Sequence, residues 1–312
     1  RRPGQPPPPP PPLDWDDVFE AEEPLLRRGA AAACASRVRV DRLAALLPSL
    51  VVHESAARTV QMMSRVQPLG SVHGLEWSRP WRERNATGAE LLLRHAANDD
   101  SSDASEPAVR PPWLYYFSSL DALGAPARDE LASACTPSAW GSPFGRHVET
   151  DVWAGVGGVR SPLHYDAAHN VYVQLAGTKR FVLFGAAAWR HVYVYPRLHP
   201  STRQSQLDLR AVPARPDFAR FHRARESGAL RAMEVILAPG DVLYIPPSVW
   251  HRASVVGAAT SLSLAVYTHS TALDAYDIFK SAPLPWPTSA DRPTRLAFAR
   301  AFVAALSALA PP

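Results

Sequence analysis

The sequence predicts a mainly β fold with flanking helices, of the antiparallel barrel or jelly-roll class. Three observations carry that prediction. Eight short strand-like runs follow one another from about residue 150 onward, "TDVWAGV", "NVYVQLAG", "KRFVLF", "HVYVY", "MEVILAPG", "DVLYIP", "HRASVV" and "SLSLAVYT". No long helical pattern separates them, which argues against βαβ units. Hydrophobic residues make up 46% and charged residues 20% of 312 residues, enough apolar surface for one large core.

The elements run as follows. Residues 1–12, "RRPGQPPPPPPP", fix φ and lack donors, so they predict an extended polyproline II or disordered arm. Such an arm is a tail or linker, or a ligand for an aromatic groove of a polyproline-recognising domain. A domain is expected over 13–290, with its β core at about 148–270. Before that core, "WDDVFEAEEPLLRRGAAAACASRV" predicts a short helix, "LPSLVVHES" and "RTVQMMSRV" predict strands, and "NATGAELLLRHAA" predicts a helix. The polar stretch 98–112 reads as a surface loop. "GVGGV" at 155–159 lacks the GxGxxG spacing and precedes a strand, so turn glycines are the better account. Residues 291–312 predict a C-terminal helix. Leu296, Phe298, Phe302, Val303, Leu306 and Leu309 form a broad apolar face, to pack on the barrel or on a second copy.

Bulk properties bound the function. A net charge of +4 does not demand a nucleic-acid partner, and no apolar run reaches membrane-spanning length. The two cysteines, Cys34 and Cys135, are far apart and in no CxxC pattern. They predict free thiols and a reducing, intracellular setting, cytoplasm or nucleus.

Chemistry gathers around "SPLHYDAAHN". In a strand, residues i and i+2 share a face, so His164 and Asp166 point one way. An imidazole and a carboxylate there can take adjacent positions on a divalent metal. His251, 87 residues later and directly after a strand and a Pro-Pro turn, is the candidate third ligand. Two histidines and one carboxylate are the facial set of non-haem Fe(II) oxygenases. An isolated H-x-D in a chain with 11 histidines is more often a surface pair. Strand alternation puts Lys179 or Arg180 on the inward face, where a cation is costly without an anion. The other outcome has Lys179 exposed at its strand's start. Ser161, Asn170 and Tyr116 are polar groups able to finish a carboxylate pocket; each alone reads as an ordinary polar residue.

Together, the ordered H-x-D, lysine, "S-Q-x-D" (205–208), "P-G-D-x-L-x-I-P" (239–246) and "W-H" (250–251) are specific. Over roughly 148–270 the chain resembles the JmjC, or cupin-like, 2-oxoglutarate oxygenases. It is most similar to their small hydroxylase branch, which includes asparaginyl and arginyl hydroxylases. The resemblance implies a double-stranded β-helix with Fe(II) held by His164, Asp166 and His251. It implies Lys179, Ser161, Asn170 and Tyr116 around 2-oxoglutarate, and Arg203 and Gln204 facing the substrate. It implies consumption of O2 and release of succinate and CO2, with a protein side chain (Asn, Asp, Arg, Lys or His) as the substrate class. A tRNA base hydroxylase, a lysine demethylase and a non-catalytic cupin-like module are the alternatives, and a sugar-binding or isomerase cupin is a further one. One departure stands out: Ala265 occupies the place where the asparaginyl enzyme has an asparagine.

Overall fold

The computed structural model describes residues 15–62, 79–93, 112–135, 147–195, 199–207, 209, 218–281, 291–294, 296–297, 300 and 304. The proline arm, most of the 98–112 loop and most of the C-terminal helical face lie outside these residues. Those described between 292 and 304 are helical and exposed, Leu296 among them.

An N-terminal group of short elements comes first: α1 (Trp15–Ala21), β1 (Leu25–Arg27), α2 (Ala32–Arg37) and α3 (Val40–Ala45). Next are β2 (Leu50–Ser55), β3 (Trp81–Ala86), α4 (Gly88–Leu92), β4 (Trp113–Ser119) and α5 (Ala125–Ala134). The core then runs through β5 (His147–Gly155), β6 (His169–Ala176), β7 (Thr178–Phe184), α6 (Ala219–Glu226), β8 (Met233–Leu237), β9 (Val242–Ile245), β10 (Trp250–Val256) and β11 (Ser261–Thr268), and α7 (Thr271–Ser281) follows.

All strand pairings are antiparallel. An eight-stranded sheet has the order β1-β9-β6-β11-β5-β4-β2-β3, and a three-stranded sheet has the order β10-β7-β8. Strands distant in sequence thus lie side by side, as a jelly roll requires. Phe181, Leu183, Val235 and Leu237 of the small sheet pack against Tyr172, Leu243, Ile245 and Ala265 of the large one. The large sheet's other face is covered by the helices, with Cys34, Leu43, Leu91 and Leu131 against Val52, Leu114, Val171 and Leu264.

Local chemistry explains several boundaries. Thr87 and Glu90 form a reciprocal capping box that starts α4. The Pro239-Gly240-Asp241 turn before β9 needs its glycine: φ is +91°, and a Cβ would meet Ala32 Cα at 2.8 Å. Asp241 fixes this turn by accepting from Ala238 N (2.9 Å), Gly29 N (2.9 Å) and Arg28 Nη1 (2.6 Å).

The structure corrects three expectations. "HVYVY" is a turn with a single bridge from Val194 to Ser205, and Tyr193 sits at φ +50°. Its described alternation serves a packing cluster, with Val192 buried beside Phe184 and Trp250. "RTVQMM" holds one bridge, Thr59 to Arg160, instead of a strand; its remainder from 63 lies outside the described residues. Cys34 and Cys135 are disulfide-bonded, with Cα atoms 4.6 Å apart and both residues buried. The bond staples α2 to the end of α5. Sequence separation concealed a contact made by two helices on one sheet face, and the cysteines no longer argue for a reducing compartment. No helix among the described residues is long and apolar enough to cross a membrane.

Candidate metal centre

His164, Asp166 and His251 converge. One donor atom from each lies within 4.8 Å of the others. His251 begins at the mouth of the small sheet, as the second residue of β10. His164 sits in an extended connection rather than a strand, and it is held by mutual backbone bonds: His164 N to His251 O at 2.9 Å and His251 N to His164 O at 2.6 Å. A bridge to Gln204 holds its other side. The expected sharing of a face by His164 and Asp166 is therefore achieved by an extended loop.

The tautomers suit metal binding. His164 Nδ1 donates to Pro162 O (2.9 Å) and His251 Nδ1 donates to Val249 O (3.1 Å). Carbonyl oxygens only accept, so each Nδ1 carries the proton and each Nε2 keeps its lone pair for the centre. Burial first, then the neighbouring His251, pushes the His164 pKa down to about 4, so the ring is neutral at pH 7. For Asp166, burial favours the proton, but His251, His164 and Arg203 outweigh it and hold the carboxyl below its usual range. His251 Nε2 stands 3.6 Å from Asp166 Oδ2. Two imidazole nitrogens and one carboxylate oxygen on one side of a partly open pocket fit a divalent ion with positions left for other ligands.

Behind the triad lies a narrow cavity between the sheets, with about 30 Å³ of open space. Lys179 ends it, buried and inward with Arg180 outward, which decides between the two cations that alternation left open. Its ammonium donates to the Tyr172 hydroxyl, and no carboxylate among the described residues pairs with it. Burial alone pushes its pKa down to about 7. Ser161 lines the cavity, and its Oγ accepts from Ala253 N (2.9 Å). Asn170 donates from Nδ2 to Asp166 Oδ2 (3.2 Å), while its buried Oδ1 has no partner. Tyr116 does not reach this cavity. Alternation along β4 turns Tyr115 to it instead, one residue from the expected position.

In front of the triad is a mouth of about 370 Å³. Arg203 and Gln204 line it. Arg203 Nη1 is 3.9 Å from Asp166 Oδ1 and its backbone takes φ +66°. Glu149, Asp151 and Asp277 also line the mouth. Burial, then the Glu149 and Asp166 charges, raises the Asp151 pKa to about 7. Asp151, Glu149, Tyr172 and Tyr267 were not singled out in the sequence. Their signal was the inward alternation of β5, β6 and β11, readable only once the register is known. That register sets Asn170, Tyr267 and Glu149 in one inward row and Tyr172, Ala265 and Asp151 in the next. Ala265 thus leaves a polar position empty of side chain between Tyr172 and Asp151.

A protein-family model described as a cupin-like domain matches residues 17–270. Among curated relatives, the chain is 28% identical over 183 residues to "Lysine-specific demethylase JMJ30" of Arabidopsis thaliana, covering 59% of this chain and 38% of that protein. It is 36% identical over 104 residues to "tRNA wybutosine-synthesizing protein 4" of Gibberella zeae, covering 33% of this chain and 9% of that protein. The chain therefore spans well under half the length of these relatives. Among solved structures, YcfD, a ribosomal oxygenase from Escherichia coli in complex with cobalt and 2-oxoglutarate, superposes with a TM-score of 0.42 at 14% identity, over 94% of this chain and 66% of that one. The match over 17–270 settles the relationship: the chain belongs to the cupin-like, or JmjC-type, family.

Proposed function

We propose that this chain is an Fe(II)- and 2-oxoglutarate-dependent oxygenase that hydroxylates a protein side chain. The observation that carries the reading is the pairing of two features. The His164/Asp166/His251 set stands at the mouth of a cavity, and that cavity ends on a buried lysine without a carboxylate partner among the described residues.

His164, Asp166 and His251 would hold the metal. Bound iron supplies the redox chemistry that couples O2 and 2-oxoglutarate to C–H oxidation, with succinate and CO2 released. The protein does the rest. Lys179 gives the far carboxylate of 2-oxoglutarate a charged partner, which offsets the cost of burying that ammonium. The Ser161 and Tyr115 hydroxyls finish the polar end of the cavity. Tyr172 releases Lys179 as the dicarboxylate enters, since the space with Lys179 folded onto Tyr172 is small. Asn170 orients Asp166, and Phe181 and Trp153 keep the cavity dry.

The mouth narrows the substrate. Glu149, Asp151 and Asp277 outnumber Arg203 there, which favours an arginine or lysine side chain and opposes a phosphate-rich RNA. A lysine demethylase uses the same mouth and is the second reading. A non-catalytic module is opposed by the intact ligand set and the lysine.

The test is succinate formation from 2-oxoglutarate with Fe(II), ascorbate and O2, run beside Asp166→Ala. Mass spectrometry of basic peptides then separates a gain of oxygen from a loss of methyl. Absence of succinate together with absence of metal and 2-oxoglutarate binding would overturn the reading.

A further inference from the structure

The outer face of the small sheet carries a second, larger groove of about 670 Å³. It shares no lining residue with the metal mouth and meets the back of the Lys179 cavity at Arg160, Ser254 and Val255. Its charge is one-sided. Arg58, Arg160, Arg180, Arg225 and Arg252 line it, and Glu234 is the acidic residue among the described lining. The strand register builds the array: Arg252, Val182 and Glu234 form one outward row, and Ser254, Arg180 and Ile236 form the next. Glu234 pairs with Arg180 and so tethers one guanidinium within the groove. Two others rest on aromatic rings, Arg58 over Trp113 at 4.9 Å and Arg225 over Phe221 at 5.8 Å. These stacked guanidiniums are preorganised and lose less freedom on meeting an anion.

The floor differs from the rim. Val182, Phe184 and Val256 make it apolar, and Val256 is 41% exposed. A cationic rim on an apolar floor is matched by carboxylates interspersed with aliphatic side chains. It is poorly matched by a nucleic-acid strand, which relies on open aromatic faces for stacking. Phe184 and Phe221 are buried, and the Trp113 ring is taken by Arg58 and approached by Gly158.

We infer that this groove docks an acidic, aliphatic-rich peptide segment of a partner protein, at a site separate from the metal centre. Guanidinium pairs fix its carboxylates, and the valine floor takes the intervening apolar side chains. Peptide binding is measured without metal or 2-oxoglutarate, so this inference and the oxygenase reading fail separately.

The experiment uses fluorescence anisotropy of the full chain with a labelled peptide of alternating glutamate and leucine, about a dozen residues long to cross the three strands. A lysine-leucine peptide and an oligouridylate of similar length serve as competing probes. The glutamate-leucine peptide should bind, more weakly at higher salt, and the lysine-leucine peptide should not. Arg225→Glu, on the surface of α6, should weaken binding at least about tenfold. The milder Arg180→Gln should do so by a smaller factor, with circular dichroism and succinate formation unchanged in both. Unaltered peptide affinity in both variants would overturn the inference. So would tighter binding of oligouridylate than of the glutamate-leucine peptide.

Discussion

Two ends of one strand, β6, treat their amides differently. Gln174, fully buried, spends every polar atom: the two N–H of Nε2 are shared among Ala176 O (2.6 Å), Gly177 O (3.1 Å) and Ser261 Oγ (2.9 Å), and Oε1 accepts from Ser263 Oγ (2.8 Å). Asn170, four residues earlier and on the same inward face, leaves Oδ1 without a partner. Its neighbours share that incompleteness, since among the described residues Lys179 meets only a tyrosine hydroxyl and Trp153 Nε1 has no partner. A buried polar group left incomplete costs about 1–3 kcal/mol, so the fold tolerates it only where something else repays it. Saturation marks the end of the barrel that holds the fold together. Deficit at the other end falls where the proposed co-substrate would bind.

Mutation at the two ends should therefore fail in different ways. The largest effect belongs to the deficient end. Asp166→Ala should abolish titratable Mn(II) or Co(II) binding and lower succinate formation by at least about a thousandfold, with the melting temperature little changed. A variant that melts far earlier would make the carboxylate a structural group and break the comparison. Gln174→Ala should do the reverse. It strands the Ser261 and Ser263 hydroxyls in the core and should cost about 2–3 kcal/mol in chemical denaturation. Metal affinity, measured where the variant is folded, should stay as it was.

What the sequence made legible follows the same division. The seven strands from β5 to β11 were readable because alternation and turn residues are local signals. His164, Asp166, His251 and Lys179 were legible as a set from motif order, whereas strand parity alone left Lys179 and Arg180 open. Tyr115 was not: "WLYYF" offers two adjacent tyrosines, and only the pairing of Tyr115 with Gly155 says which one faces the cavity. The acidic mouth was hidden for the same reason, as Glu149, Asp151 and Asp277 meet only in three dimensions. The disulfide was hidden by 101 residues of separation. "HVYVY" misled because alternation there serves a packed turn.

A third prediction uses that tyrosine pair. Tyr115→Phe should raise the 2-oxoglutarate concentration needed for half-maximal turnover by about tenfold, the loss of one hydrogen bond to a charged group. Tyr116→Phe, one residue along and facing away, should leave it unchanged. Equal effects would mean that packing within β4, not orientation toward the cavity, is being measured.

The last effect is read without turnover. In the folded, ligand-free chain burial holds the Lys179 pKa at about 7, against 10.5 for an ordinary lysine. Between those values the unfolded chain binds the extra proton and the folded chain does not, so stability rises with pH across this window. The slope should reach about 1 kcal/mol per pH unit between pH 7 and 10, and fade above 10, where the buried Tyr115, Tyr172 and Tyr267, all raised, begin to oppose it. Lys179→Met keeps the shape and removes the proton. Its unfolding free energy should be flatter across pH 7–10 and higher than the native chain's at pH 7. Adding 2-oxoglutarate with Mn(II) to the native chain should also flatten the slope, because a dianion keeps the ammonium charged. A slope that survives Lys179→Met would assign the titration to another group and remove Lys179 from the deficient end of the barrel.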